Sequence, residues 1–173
     1  MRRLLLDTNI YGLIVERGEE EEFKVLVSKA SAVVYGCSAV RKELRDTPKG
    51  RRKVTDHGTR NYRILLLQIY DDVIMNREIA IDEKTQELAN KYLKRFSEIT
   101  GKSVLDHLKI DFLLVASATL NKLDLIVSDD HKTLLSLDSM RAYNLVNELE
   151  NLKTPILFPY KDAKVFLKRL SLL

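Results

Sequence analysis

Cysteine, histidine and glycine are all scarce in this 173-residue chain, and each shortage removes a class of chemistry. The single cysteine, Cys37, cannot form an intrachain disulfide or make a zinc site by itself. Its setting, "VVYGCSAV", predicts a buried inert thiol. The three histidines, His57, His107 and His131, are scattered and form no HxxH or HExxH pattern, which argues against zinc hydrolysis. The six glycines match neither the dinucleotide fingerprint nor the phosphate-binding loop of NTPases. No apolar run approaches the roughly 18 to 20 residues of a membrane span. The basic, briefly apolar start lacks a signal-peptide core and cleavage site, so a cytoplasmic protein without membrane contact is expected.

What remains is a chain that is 45% apolar and 31% charged, a globular balance with enough length for one sizeable core. A single domain spanning 1–173 is expected. The net charge of +4 is modest, but its placement is uneven. Between Arg41 and Arg63 nine Lys/Arg face three acids. A solvated loop accounts for such a run, and so does contact with a phosphate backbone. Arg41, Lys42, Arg51, Arg52 and Lys53 are the candidates for such contact. Few aromatics interrupt the run, so it does not read as a base-stacking platform.

Apolar strands alternate with helices along the chain. "RRLLLD" reads as a first core strand, and "NIYGLIV" as a short helix starting near Asn9. "EEEEFKVLVSKAS" is a second helix, its acids in the first turn where they oppose the positive end of the helix dipole. "AVVYG" is a candidate strand, and Ser38 can cap the helix "AVRKELRD", which Pro48 and Gly50 stop. "NYRILLLQIYDDV" and "IDEKTQELANKYLKRFSEI" follow as helices, the second with Leu88, Tyr92, Phe96 and Ile99 on one stripe and Gly101 at its end. Ser103 or Asp106 starts a helix that is apolar or small on nearly all sides from Phe112 to Leu120, so it should be central. "LDLIVSDD" is the second clear core strand, "TPILF" is another candidate, and an amphipathic helix ends the chain. The alternation predicts an α/β layer architecture with a mostly parallel sheet.

In such sheets ligands collect beyond the carboxyl ends of the strands, and both "LLLD" and "LIVSDD" place acids there. Asp7, Asp111, Asp129 or Asp130, and Glu43 are the carboxylates to compare. Each has a plain alternative: a helix cap at Asp7, a pair with Lys109 at Asp111, and a surface pair with Arg41, Lys42 or Arg45 at Glu43. One of Asp129 and Asp130 is expected to be a cap only. Converging carboxylates raise one another's pKa values unless a cation or proton intervenes. Hard oxygen donors without Cys or His suit Mg²⁺ or Mn²⁺. Thr8, Asn9 and Ser128 are placed to orient the carboxylates, a metal-bound water or a substrate. An acidic metal site with a basic rim is a coherent phosphodiesterase. A metal-dependent phosphatase or DNA nuclease would use the same carboxylates. A non-catalytic nucleic-acid-binding or scaffold protein would keep the basic surface without the acidic pocket.

"LLLDTNIYG", "CSAVRKELRD" and "IDFLLVASATLNKLDLIVSDDHKTL", in this order and separation, resemble the PIN domain, from Arg2 to about Leu135. The resemblance implies a three-layer α/β/α, Rossmann-like fold with a central parallel sheet. It implies a clustered acidic site binding Mg²⁺ or Mn²⁺ and endoribonuclease activity on single-stranded RNA. Asp7 matches the aspartate of the family's "DTN", Glu43 the glutamate after the second strand, and Asp111 the aspartate before "FLLVASA". Asp130 matches the last acid of a Thr-x-Asp pattern, with Asp129 as the alternative in that slot and Ser128 in place of threonine. The family includes VapBC-type toxins, which implies a homodimer and an antitoxin partner. A helical insert at about 56–101 and a C-terminal extension at about 138–173 depart from the compact toxins.

Overall fold

The computed structural model describes residues 1–55, 58–101 and 106–172, with the side chains of Asp106 and His107 excepted. Five strands form one sheet: β1 (Arg2–Leu6), β2 (Ala32–Cys37), β5 (Glu78–Ile79), β6 (Leu125–Val127) and β7 (Ile156–Phe158). Their order is β5-β2-β1-β6-β7, and every neighbouring pair is parallel. Leu4, Leu5 and Leu6 are at most 1% exposed, as are Leu125, Ile126 and Val127. Strands covered on both faces need no polar alternation, which is why "LLL" and "LIV" are unbroken apolar runs.

Helices cover both faces and make the expected α/β/α layers. They are α1 (Thr8–Arg17), α2 (Glu20–Lys29), α3 (Ser38–Asp46), α4 (Tyr62–Ile74), α5 (Glu83–Thr100), α6 (Asp106–Leu120), α7 (Leu137–Leu149) and α8 (Tyr160–Leu170). Residues 114–119 of α6 are buried without a break, consistent with its uniformly apolar sequence. The side chain of Asp82 caps α5 by accepting the Thr85 N–H, and Gly101 ends it with φ of 66°. Gly36 in β2 lets α4 approach closely, because a Cβ there would collide with the Tyr70 hydroxyl and Ile74. Cys37 is fully buried, and burial pushes its thiol pKa up, as expected of an inert thiol.

The first helix begins at Thr8, next to the expected start near Asn9, and the Asp7 carboxylate accepts the Thr8 N–H and serves as its cap. Two local expectations are corrected. Ser38 lies inside α3; Cys37 precedes the helix without a side-chain cap, and the Ser38 hydroxyl accepts the Ile81 N–H instead. The basic run is not a plain loop. It contains β3 (Arg52–Thr55) and β4 (Gly58–Asn61), an antiparallel ribbon pairing Arg52 with Asn61 and Thr55 with Gly58. Arg51 fastens this ribbon to α1: its guanidinium lies 2.7 Å from the Glu16 carboxylate and 4.0 Å from the Tyr62 ring centroid. The Lys53 ammonium donates to the Glu16 carbonyl.

Candidate functional site

The strand order reverses at β1. The chain leaves β1 for β2 on one side, and β6 pairs on the other. The carboxyl ends of β1 and β6 therefore flank the position where parallel sheets of this kind bind ligands. Leu6 pairs with Val127, and the next N–H on β1, that of Asp7, donates to the Val127 carbonyl at 2.9 Å. Asp7 and Ser128 thus leave adjacent strands side by side.

A polar network follows. Ser128 Oγ donates to Asp7 Oδ2 at 2.6 Å, and Asn9 Nδ2 donates to the same oxygen at 2.7 Å. Asp7 Oδ1 accepts the Thr8 N–H. Ser128 Oγ in turn accepts from the Asp130 N–H at 3.0 Å and from Asn9 Nδ2 at 3.2 Å. Thr8 Oγ1 donates to Glu43 Oε2, so the start of α1 reaches α3. Thr133 Oγ1 lies within hydrogen-bond distance of both Asp111 Oδ2 on α6 and Asp130 Oδ2. Asp130 Oδ1 also accepts the N–H groups of Lys132 and Thr133, each at 2.9 Å.

The acids of this network act on one another. Asp7 is only 8% exposed, and its pKa is raised from 3.8 to about 6, chiefly by burial. The charges of Glu43 and Asp130 raise it further, while the hydrogen bonds from Ser128 and Thr8 oppose the rise. Asp111 is raised to about 7, again chiefly by burial, with the charges of Asp7, Asp130 and Glu43 adding to it and the Thr133 bond opposing. A threonine hydroxyl carries one proton and cannot donate to two carboxylates at once. The two contacts are satisfied together when one of the two carboxyls carries a proton.

Asp7, Glu43, Asp111 and Asp130 are therefore brought together. Asp129 is turned elsewhere: its carboxylate accepts the Tyr160 N–H at 2.7 Å at the start of α8, while its own N–H donates to Asn9 Oδ1. The basic candidates divide. Arg41 is held by Asp71 and Glu78 and lies over the Tyr70 ring, and Arg51 and Lys53 are held at Glu16. Lys42 and Arg52 are exposed to solvent. His131 is exposed, and His57 and the His107 side chain lie outside the described residues. Thr133 was not singled out by spacing, although a hydroxyl three residues after an aspartate in a turn is a recognisable signal.

Carboxylates and hydroxyls are the donor chemistry of a hard divalent cation. Among the described residues, no group of three or more His, Cys, Asp or Glu side chains is placed to hold a metal ion as the side chains stand. Hydroxyl groups instead link the acids: Thr8 to Glu43, Ser128 to Asp7, and Thr133 between Asp111 and Asp130. The donor set fits Mg²⁺ or Mn²⁺. No helix among the described residues is long and apolar enough to cross a membrane.

No family model matches the chain, and no curated protein matches it. Solved structures do match. A chain of VapBC2 from Rickettsia felis, bound to a DNA fragment from their promoter, aligns with a TM-score of 0.56 at 16% identity, over 91% of this chain and 98% of that one. DNA-bound VapBC from Salmonella typhimurium gives 0.55 at 11% identity, over 92% of this chain and 98% of that one. FitAB bound to an IR36 DNA fragment gives 0.52 at 14% identity, over 90% and 94%. At such identities the likeness is one of architecture, and the chain has a three-layer α/β/α, PIN-like fold.

Proposed function

We propose that the chain is a nuclease of the PIN type, an endoribonuclease that uses Mg²⁺ or Mn²⁺ to hydrolyse phosphodiester bonds of single-stranded RNA. The observation that carries this reading is the meeting of Asp7, Glu43, Asp111 and Asp130 at the β1–β6 switch point, where burial and neighbouring acids raise the pKa values of Asp7 and Asp111. When bound, the cation supplies a Lewis acid that lowers the pKa of an attacking water and offsets phosphate charge. Asp7, Asp111 and Asp130 are its ligands in this proposal, and Glu43 completes the set or orients the water. Ser128 and Asn9 hold Asp7, and Thr8 holds Glu43. Asp129, committed to α8, stays outside the set. Lys42 and Arg52 are the preferred contacts to the RNA backbone, since Arg41, Arg51 and Lys53 already have protein partners.

The likeness in fold to chains of VapBC and FitAB supports a protein partner, and we extend the proposal to a cytoplasmic toxin-type homodimer restrained by an antitoxin. The nuclease reading is tested by incubating purified protein with end-labelled single-stranded RNA, single-stranded DNA and duplex in Mg²⁺, Mn²⁺ or EDTA. Cleavage of RNA with either cation and none in EDTA is expected. EDTA-resistant cleavage rejects the metal mechanism. Cleavage of DNA alone reassigns the substrate, and tight RNA binding without turnover assigns a non-catalytic protein.

A further inference from the structure

Asp130 needs little help to cap its turn. Its Oδ1 already accepts the N–H groups of Lys132 and Thr133, which is a complete arrangement for an aspartate at a turn. The Thr133 hydroxyl is additional to that cap. It meets the other oxygen of Asp130 and continues to Asp111 Oδ2, a group on α6 that lies 22 residues earlier in the chain. The contact joins α6 to the segment after β6. Threonine suits the position because its branched Cβ restricts χ1, so the hydroxyl is held on one side.

We propose that Thr133 is a positioning residue that sets the spacing of Asp111 and Asp130 by joining one oxygen of each through a single hydroxyl. The proposal rests on the metal-dependent reading above, because the spacing matters for two carboxylates that share a cation. Thr133 does not itself need to touch the cation or the RNA. A cap alone would use only its backbone N–H, which any non-proline residue supplies. The side chain is therefore where the two roles separate.

The test compares wild type with Thr133→Val, which keeps the shape without the hydroxyl, and Thr133→Ser, which keeps the hydroxyl. Mn²⁺ affinity is measured by titration, and single-stranded RNA cleavage is resolved into kcat and KM. In Thr133→Val we expect Mn²⁺ binding weakened about tenfold and kcat lowered at least about tenfold, the range for lost outer-sphere partners of metal ligands. KM for RNA should stay within about twofold, since phosphate contacts are untouched. Thr133→Ser should restore both quantities to within about threefold. Thr133→Ala replaces the valine variant if that one does not fold. Wild-type Mn²⁺ affinity and kcat in the hydroxyl-less variant overturn the proposal, and so does a serine variant as impaired as the valine one. Wild type that binds Mn²⁺ but cleaves nothing fails the nuclease reading alone, and Thr133 is then judged on Mn²⁺ affinity. Wild type that binds no Mn²⁺ overturns both.

Discussion

The Ser128 hydroxyl donates to Asp7 Oδ2 across 2.6 Å, a bond between residues 121 positions apart that ties the carboxyl ends of β1 and β6 together. Ser128 is fully buried and also accepts from Asn9 and the Asp130 N–H. Removing the hydroxyl takes one of the two side-chain donors from Asp7 Oδ2 and takes the Ser128 acceptor from the Asp130 N–H. Ser128→Ala should lower stability by about 1–3 kcal/mol in urea unfolding, and Ser128→Thr should recover most of it. A loss below about 0.5 kcal/mol would show that the bond contributes nothing net.

Metal-free protein should lose stability as pH rises from about 4 to 8. The folded-state pKa values of Asp7 and Asp111, about 6 and about 7, lie above the ordinary 3.8. Between those limits the folded state binds more protons than the unfolded chain, so their contribution is complete below about pH 4 and gone once pH passes the folded values. For Asp7 alone the difference is on the order of 3 kcal/mol. Thermal unfolding in EDTA across this range should slope downward for wild type and less steeply for Asp111→Asn. Parallel curves for the two proteins would contradict the assignment.

Protons and a cation compete for the same oxygens. Mn²⁺ should therefore raise the melting temperature more at pH 8 than at pH 5, where Asp7 and Asp111 retain their protons. Equal shifts at both values would place the bound cation away from these residues.

Neighbouring arginines should behave differently. Arg51 is engaged by Glu16 and Tyr62, whereas Arg52 is exposed on the ribbon. Arg52→Ala should weaken RNA binding and reduce its salt dependence by about one unit of slope. Arg51→Ala should chiefly lower stability. Salt-dependent binding assays and urea unfolding separate the two, and reversed outcomes would remove Arg52 from the substrate path.

Much of the fold was legible because its strongest signals are local. The runs "LLL" and "LIV" announce strands buried on both faces, and the α5 stripe ending at Gly101 marks a helix with its stop. The polar details were less legible. Asp7 and Asn9 both precede an apolar run, and only the backbone geometry at Asp7 decides which one caps the helix. β5 has two residues and β3 and β4 have four each, too few for a periodic pattern. Asp129 and Asp130 are adjacent, and their sorting depends on α8, whose first N–H captures Asp129 from 31 residues away. Glu43 is distinguished from the surface charges of α3 by its contact with Thr8 and by its charge acting on Asp7 and Asp111. Convergence of this kind is a property of topology, and one helix at a time does not display it.

The central claim is that Asp7 belongs to a metal-dependent cleavage site as well as capping α1. Metal-dependent hydrolysis of labelled single-stranded RNA by Asp7→Asn, alongside wild type of matched purity and matched circular dichroism, tests it most directly. The account predicts that the variant stays folded and loses cleavage by at least about two orders of magnitude. A folded Asp7→Asn protein that cleaves RNA at the wild-type rate would contradict it.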